Sequence, residues 1–331
     1  MPLEGSFINK DNLSTSSTKF KNSFKLTPEI GALVALLVIS IVLTFLSQYF
    51  FTFSNFVNLL KQVSIIGIAG AGVTLVIISG GIDLSVGSMI SFVVVLVAGF
   101  MQNNGMPPWL AVISVLAMGA VLGLINGALI TLLHIPPIIA TLSTLIAYKG
   151  AALVYTGGYA IPLIGKFMTP GRGFVGPIPV SILIMIGVYI VGHIILKYTM
   201  LGRMVYGLGG NEDAVYLSGR SVRKYRLIIY MISGITASLA GIVLASRISS
   251  GQPMSGEGIE LDVIAAAVLG GTNIFGGVGT MGGTIIGAFI LIVINNGLNL
   301  INVSPYGQFI AKGAILAFAV AINSMKGFRK T

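Results

Sequence analysis

Residues 63–101 read VSIIGIAGAGVTLVIISGGIDLSVGSMISFVVVLVAGFM, two apolar runs, Val63 to Ser79 and Val86 to Met101, parted by Gly80-Gly81-Ile82-Asp83-Leu84-Ser85. Each run approaches the roughly 20 apolar residues that a helix needs to cross a bilayer. The break between them holds Asp83, the one acidic residue between Glu29 and Glu212. A carboxylate at mid-membrane costs about 2.5 to 3.5 kcal/mol on insertion scales, so it has to be paired, capped or turned toward water. Its position predicts a cap for a helix starting at Leu84, with the carboxylate accepting backbone N–H bonds at the positive end of the dipole. The same position makes Asp83 a candidate pathway or gate residue, and the two roles are compatible.

The rest of the chain continues this pattern. Of 331 residues 55% are hydrophobic and 8% charged, against roughly 25% charged in an ordinary soluble domain. With a mean hydropathy of +0.98, the composition excludes both a water-soluble globule and a disordered chain. Further apolar spans run from Ile30 to Phe50, Trp109 to Leu133, Ile138 to Tyr155, Ile178 to Leu196, Leu227 to Ser246, Val263 to about Met281, Gly282 to Ile301 and Gly307 to Ile322, which makes ten in all. The expectation is an all-α polytopic membrane protein. A single transmembrane domain, 30–323, lies between a polar leader, 1–29, and a short basic tail, 324–331.

The formal charge of +10 is placed beside the spans. Lys19, Lys21 and Lys25 precede the first, Lys197, Arg203, Arg220, Arg223, Lys224 and Arg226 fill the segment 197–226, and Lys326, Arg329 and Lys330 end the chain. Lys and Arg near helix ends mark cytoplasmic loops. Ten crossings put all three clusters, and both termini, in the cytoplasm. The loop Arg247 to Asp262, with Glu257, Glu260 and Asp262, then falls outside, as does Thr156 to Pro177 with Lys166 and Arg172. The charge is therefore topology, and no nucleic-acid partner is implied.

Other chemistry is excluded residue by residue. With no cysteine there is no disulfide, thiol redox centre or Cys-based metal site. His134 and His193 are isolated at span ends, which suits interfacial packing and neither catalysis nor metal binding. Gly277-Val278-Gly279-Thr280-Met281-Gly282 matches a dinucleotide fingerprint in spelling only, because it lies in a membrane run with no acidic residue after Asp262. No G-x-x-x-x-G-K-[ST] phosphate loop occurs, so the chain carries no ATPase of its own and calls for no cofactor.

Forty-four glycines remain to be explained. Gly119, Gly123 and Gly127 form a smooth stripe on one helix face, where small residues let backbones approach in lipid. Other glycines break spans: Ser79-Gly80-Gly81-Ile82-Asp83 is echoed by Leu269-Gly270-Gly271-Thr272-Asn273, and Ile125-Asn126-Gly127 by Asn295-Asn296-Gly297. Asn126 and Asn296 fall on oppositely directed helices, which predicts an inverted repeat with broken helices beside a transport pathway. The candidate pathway or gate residues are Gly80, Gly81, Asp83, Ser85, Asn126, Gly270, Gly271, Asn273 and Asn296. Their polar side chains can exchange hydrogen bonds with hydroxyl groups.

In the cytoplasmic segment, Asn211 suits an N-cap, Glu212 and Asp213 fit the first turn of a helix, and Gly219 can stop it. A two-turn helix follows, with Val215 and Leu217 free to dock into a groove of a partner protein. From about Ile30 to Asn323 the chain resembles the inner-membrane permease of ribose-type ABC sugar importers. The resemblance rests on Thr74-Leu75-Val76-Ile77 leading into Gly81-Ile82-Asp83-Leu84-Ser85-Val86-Gly87-Ser88, on Leu201-Gly202-Arg203 with Leu208-Gly209-Gly210-Asn211-Glu212, on Ala237-Ser238-Leu239-Ala240-Gly241-Ile242, on Ala265-Ala266-Ala267-Val268-Leu269-Gly270-Gly271-Thr272, and on Asn295-Asn296-Gly297-Leu298-Asn299-Leu300. Arg220-Ser221-Val222-Arg223-Lys224 is more basic than that family's usual continuation.

The resemblance implies a homodimeric permease of the bacterial inner membrane with a vitamin B12 permease-like, type II importer fold of ten helices. It implies two further partners, a cytoplasmic ABC ATPase subunit and a periplasmic sugar-binding protein, and ribose or a related monosaccharide as cargo. It also implies that Asn211, Glu212, Asp213, Ala214, Val215, Leu217, Ser218 and Gly219 couple the permease to the ATPase. Two rival classes fit less well. An ion-gradient-driven secondary transporter needs intramembrane ionisable residues, for which Asp83 is the one clear candidate, and a membrane-embedded enzyme needs clustered carboxylates to hold Mg²⁺ and phosphates.

Overall fold

The computed structural model describes residues 28–328 apart from 164 and 166. The leader cations Lys19, Lys21 and Lys25, the loop residue Lys166, and Arg329 and Lys330 of the tail lie outside the described residues. Among the described residues seven helices are long and apolar enough to cross a membrane: α1 (Pro28–Leu46), α2 (Phe53–Ile78), α4 (Pro108–Leu132), α5 (Pro137–Thr156), α7 (Val180–Tyr198), α10 (Val222–Ile248) and α12 (Met281–Leu300). Three more belong to the same bundle, α3 (Val86–Gln102), α11 (Ile259–Leu269) and α13 (Pro305–Phe328), while α6 (Thr169–Arg172), α8 (Met200–Gly210) and α9 (Glu212–Leu217) are short connections. The protein is a polytopic all-α membrane protein.

Prolines and glycines set most boundaries. Pro108, Pro137 and Pro305 open their helices, at the position where the missing N–H is not needed. The two echoing glycine pairs end α2 and α11 in the same way. Gly80 N donates to Ile77 O at 2.9 Å and Gly81 N to Val76 O at 2.9 Å; Gly271 N donates to Val268 O at 2.9 Å and Thr272 N to Ala267 O at 2.9 Å. Gly80 and Gly271 have φ of +79° and +92°, the left-handed residue of a Schellman stop. The span expected from Val263 to about Met281 is therefore a short helix that halts at Leu269, followed by a non-helical stretch to Thr280. An apolar run with buried glycines reads as continuous by hydropathy although its backbone has turned.

Helix α10 is the hub, packed on α2, α3 and α4, and α2 packs further on α7, α11 and α12. The predicted glycine stripe is the α4–α10 seam. A Cβ at Gly119 would meet the Gly234 carbonyl and Ser238, one at Gly123 the Tyr230 carbonyl, and one at Gly127 the Leu227 Cα. Backbones that close exchange dispersion contacts directly.

The loop Arg247 to Asp262 does not stay above the bundle. Its start is clipped by a two-residue antiparallel pairing of β1 (Ile161–Pro162) with β4 (Ser250–Gly251); β2 (Phe174–Val175) and β3 (Ile178–Pro179) pair beside it. The chain then descends along α3. Gly251 lies against Ala98 and Val94, whereas Gly256 lies against Gly87 and Ser91, its N–H donating to Ser91 Oγ at 2.8 Å. Between Ala98 and Gly87 the helix rises about 16 Å. The start of α11 thus lies beside the far end of α3, and Glu257, Glu260 and Asp262 are carried down the side of the bundle with it, Glu257 remaining exposed.

Candidate functional site

The break after α2 is held by a chain of polar side chains drawn from the break itself and from three helices. Asp83 accepts from Ser85 N at 3.0 Å and Ser85 Oγ at 2.6 Å on one oxygen, and from Ser233 Oγ of α10 at 2.8 Å on the other. Asn126 of α4 donates to Ser85 Oγ at 2.7 Å and more distantly, at 3.5 Å, to Asp83; its carbonyl accepts from Thr144 Oγ1 of α5 at 2.6 Å. Asp83, Ser85, Asn126 and Ser233 are fully buried. In an apolar interior each unpaired donor would cost about 1 to 3 kcal/mol, so the connected set specifies one arrangement of the break. Asp83 does accept a backbone N–H, but from Ser85, and α3 begins at Val86 with Ser85 at its cap position. The anticipated cap is displaced by two residues.

The second break joins the first. Gly277 N donates to Ile78 O at 2.8 Å, and a Cβ at Gly276 would meet Gly209 and the Gly80 Cα. Gly209, at the end of α8, is wedged between them: a Cβ there would land on the Ile78 carbonyl oxygen and the Gly277 nitrogen. Tyr206 OH adds a bond to Gly279 O at 2.8 Å. Three elements therefore meet backbone to backbone.

Two residues beyond Gly209 stands Asn211, the N-cap of α9. Asn211 Oδ1 accepts from Ala214 N at 2.9 Å, Gly219 closes the helix with φ of +75°, and Glu212 pairs with Arg226 of α10. The capping signals are realised as read. The docking face differs, because Val215 turns inward against Gly207 whereas Tyr216 and Leu217 are exposed. Residues two apart on a helix project about 200° from each other, so Val215 and Leu217 cannot share one face.

The structure brings Asp83, Ser85 and Asn126 together. Gly80, Gly81, Gly270, Gly271 and Asn273 occupy the two breaks, with Asn273 Oδ1 accepting from Phe275 N at 3.1 Å. Asn296 stands apart in a reciprocal amide pair with Asn55 of α2, at 2.8 and 3.0 Å. Ser233, Thr144, Tyr206 and Gly209 were not singled out by sequence reasoning as site residues. Among the described residues no three His, Asp or Glu side chains come together as a metal would require.

A family model described as the permease component of the branched-chain amino acid transport system matches residues 55–320. The chain is 42% identical to the ribose import permease protein of Bacillus subtilis (strain 168) over 301 residues, 90% of this chain and 93% of that one. It is 41% identical to the ribose import permease protein of Escherichia coli (strain K12) over 308 residues, 90% and 94% of the two chains. To the galactose/methyl galactoside import permease protein of Escherichia coli (strain K12) it is 37% identical over 321 residues, covering 91% and 96%. No solved structure matches the chain.

Proposed function

The chain belongs to the family of branched-chain amino acid transport system permease components, and on that premise we propose that it is the membrane-spanning subunit of an ATP-binding-cassette importer carrying a monosaccharide, ribose foremost. The observation that carries this reading is the identity with ribose import permease proteins across nine-tenths of the chain. As a transport subunit the chain hydrolyses nothing itself. A cytoplasmic ABC ATPase supplies the energy, and a periplasmic binding protein delivers the sugar.

The architecture we propose is the ten-helix, vitamin B12 permease-like fold, assembled as a homodimer in the inner membrane with both termini in the cytoplasm. The matching stops of α2 and α11 and the placement of Asn126 and Asn296 near the ends of α4 and α12 support an inverted repeat. Helix α9 with its flanking residues, Asn211 through Gly219, docks on the ATPase, and Glu212 with Asp213 gives its first turn an acidic face. The residues of the breaks, Gly80, Gly81, Asp83, Ser85, Asn126, Gly270, Gly271 and Asn273, act as gate elements: they set where the helices are interrupted beside the path. Asn296 ties α12 to α2 at the far end.

Transport follows from weak contacts. A permease that bound sugar tightly would trap it, so affinity belongs to the binding protein and the permease offers only exchangeable hydrogen bonds. The test is uptake of labelled ribose and galactose into proteoliposomes holding the chain with its ATPase and binding protein. Ribose accumulation that requires ATP is expected. Uptake that survives without ATP and collapses with an uncoupler would overturn the reading.

A further inference from the structure

The descending segment carries charge to a depth where lipid tolerates little. Lys149 of α5 pairs with Glu257 at 2.8 Å, and Lys312 of α13 pairs with Asp262 at 2.8 Å. Counted from Thr156 and Pro305, each lysine lies about two turns inside its helix, roughly 10 Å below the end. The start of α11 is thus tied on one side to α5 and on the other to α13. Glu260 between the pairs rests on Gly87 and accepts from Gly258 N at 3.3 Å.

Three of the four side chains in these pairs are not enclosed, and the fourth, Asp262, is 13% exposed. The side chains of Lys149, Glu257 and Lys312 are 35%, 52% and 32% exposed, and Leu261 between the pairs is 49% exposed. An ionised side chain facing acyl chains costs about 2.5 to 3.5 kcal/mol. The faces that do suit lipid look different: Leu37 and Ile41 of α1 and Ile186 and Ile190 of α7 are exposed at comparable levels among apolar neighbours.

We infer that the strip formed by α5, the start of α11 and α13 lines the outer half of the solute path, and that the pairs Lys149–Glu257 and Lys312–Asp262 are its polar gate. The inference rests on the import reading above and adds where the path runs. A second copy of the chain closes the opposite wall and keeps lipid off the charges. Ammonium donors beside carboxylate acceptors match the paired donors and acceptors of vicinal sugar hydroxyls. The two pairs balance in charge, so the strip neither repels nor traps a neutral, hydroxyl-rich solute. The strip is also linked to the inner side, because α11 carries the chain from Asp262 to its stop at Leu269, and the non-helical stretch after it reaches the glycine junction at Gly276 and Gly209.

The absence of native cysteine makes the test free of background labelling. Leu261→Cys, Glu257→Cys, Ile190→Cys and Leu37→Cys, each in the full chain in membrane vesicles, are treated with a charged, membrane-impermeant methanethiosulfonate. Leu261→Cys leaves both ion pairs intact and so guards against a misfolded variant. Thiols at 261 and 257 are expected to react about tenfold faster or more than those at 190 and 37, since apolar surroundings suppress the thiolate. Equal rates at all four positions overturn the proposal. In the assembled importer, Lys149→Glu and Glu257→Lys are each expected to lose uptake and the double swap to regain it; a double swap no better than the singles overturns the gate. Flat labelling in an importer that still takes up sugar with ATP removes only the strip's assignment, whereas a labelling contrast without ATP-driven uptake removes the importer reading and leaves the wet strip standing.

Discussion

Replacing Asp83 by alanine strands the hydroxyls of Ser233 and Ser85 and the Ser85 N–H, which have Asp83 as acceptor. At about 1 to 3 kcal/mol for each buried donor left unpaired, Asp83→Ala is expected to lower the thermal midpoint of the detergent-solubilised protein markedly. Asp83→Asn keeps two polar atoms in place and is expected to fall between. A midpoint for Asp83→Ala equal to that of the parent would mean that the network does not hold the break. At this scale the sequence was legible where a polar type is rare: one carboxylate in a long apolar stretch, and Asn126 before a glycine, could be picked out. Ser233 and Thr144 could not. Helical serines and threonines commonly bond back to their own turn, as Thr144 Oγ1 also does toward Ala140 O at 3.3 Å, so nothing in their spelling separates a packing hydroxyl from one that reaches Asp83 or Asn126.

Elements communicate here through glycine. Because a Cβ at Gly209 has no room against Ile78 O and Gly277 N, Gly209→Ala pushes α8 off both helix breaks without touching α9, which begins at Glu212. The expected outcome is a complex that still binds its ATPase but no longer raises ATP hydrolysis when loaded binding protein is added; normal stimulation would show that the junction does not transmit. The sequence disclosed the elements on either side. Asn211 and Gly219 bound α9 as their capping chemistry requires, and the α4 stripe found its partner in α10. It did not disclose the junction, because Gly209 meets Ile78 and Gly277 only in three dimensions. Nor did it disclose the shortness of α11, since hydropathy averages across a turn built from Gly270 and Gly271.

For the whole molecule, composition alone decided that the bilayer is the solvent, and the placement of Lys and Arg decided the expected orientation. What remained hidden is that the acidic loop 247–262 is an inner wall. Its backbone from Gln252 to Gly258 makes only local turn bonds and contacts to α3, and lipid offers bare N–H and C=O groups no partners. The segment therefore cannot enter the membrane alone. Biogenesis has an order: α3 and α5 must already stand, with Ser91 and Lys149 presented, before the later part of the chain can thread down between them. A fragment of residues 249–331 made by itself is expected to leave α11 open to protease, and co-expression of residues 1–248 to shield it; equal protection in both cases would show that no such order exists. The N-terminal helices are thus a template on which the last quarter of the protein is received, and a ribosome stalled after α10 would leave behind a groove still waiting for its lining.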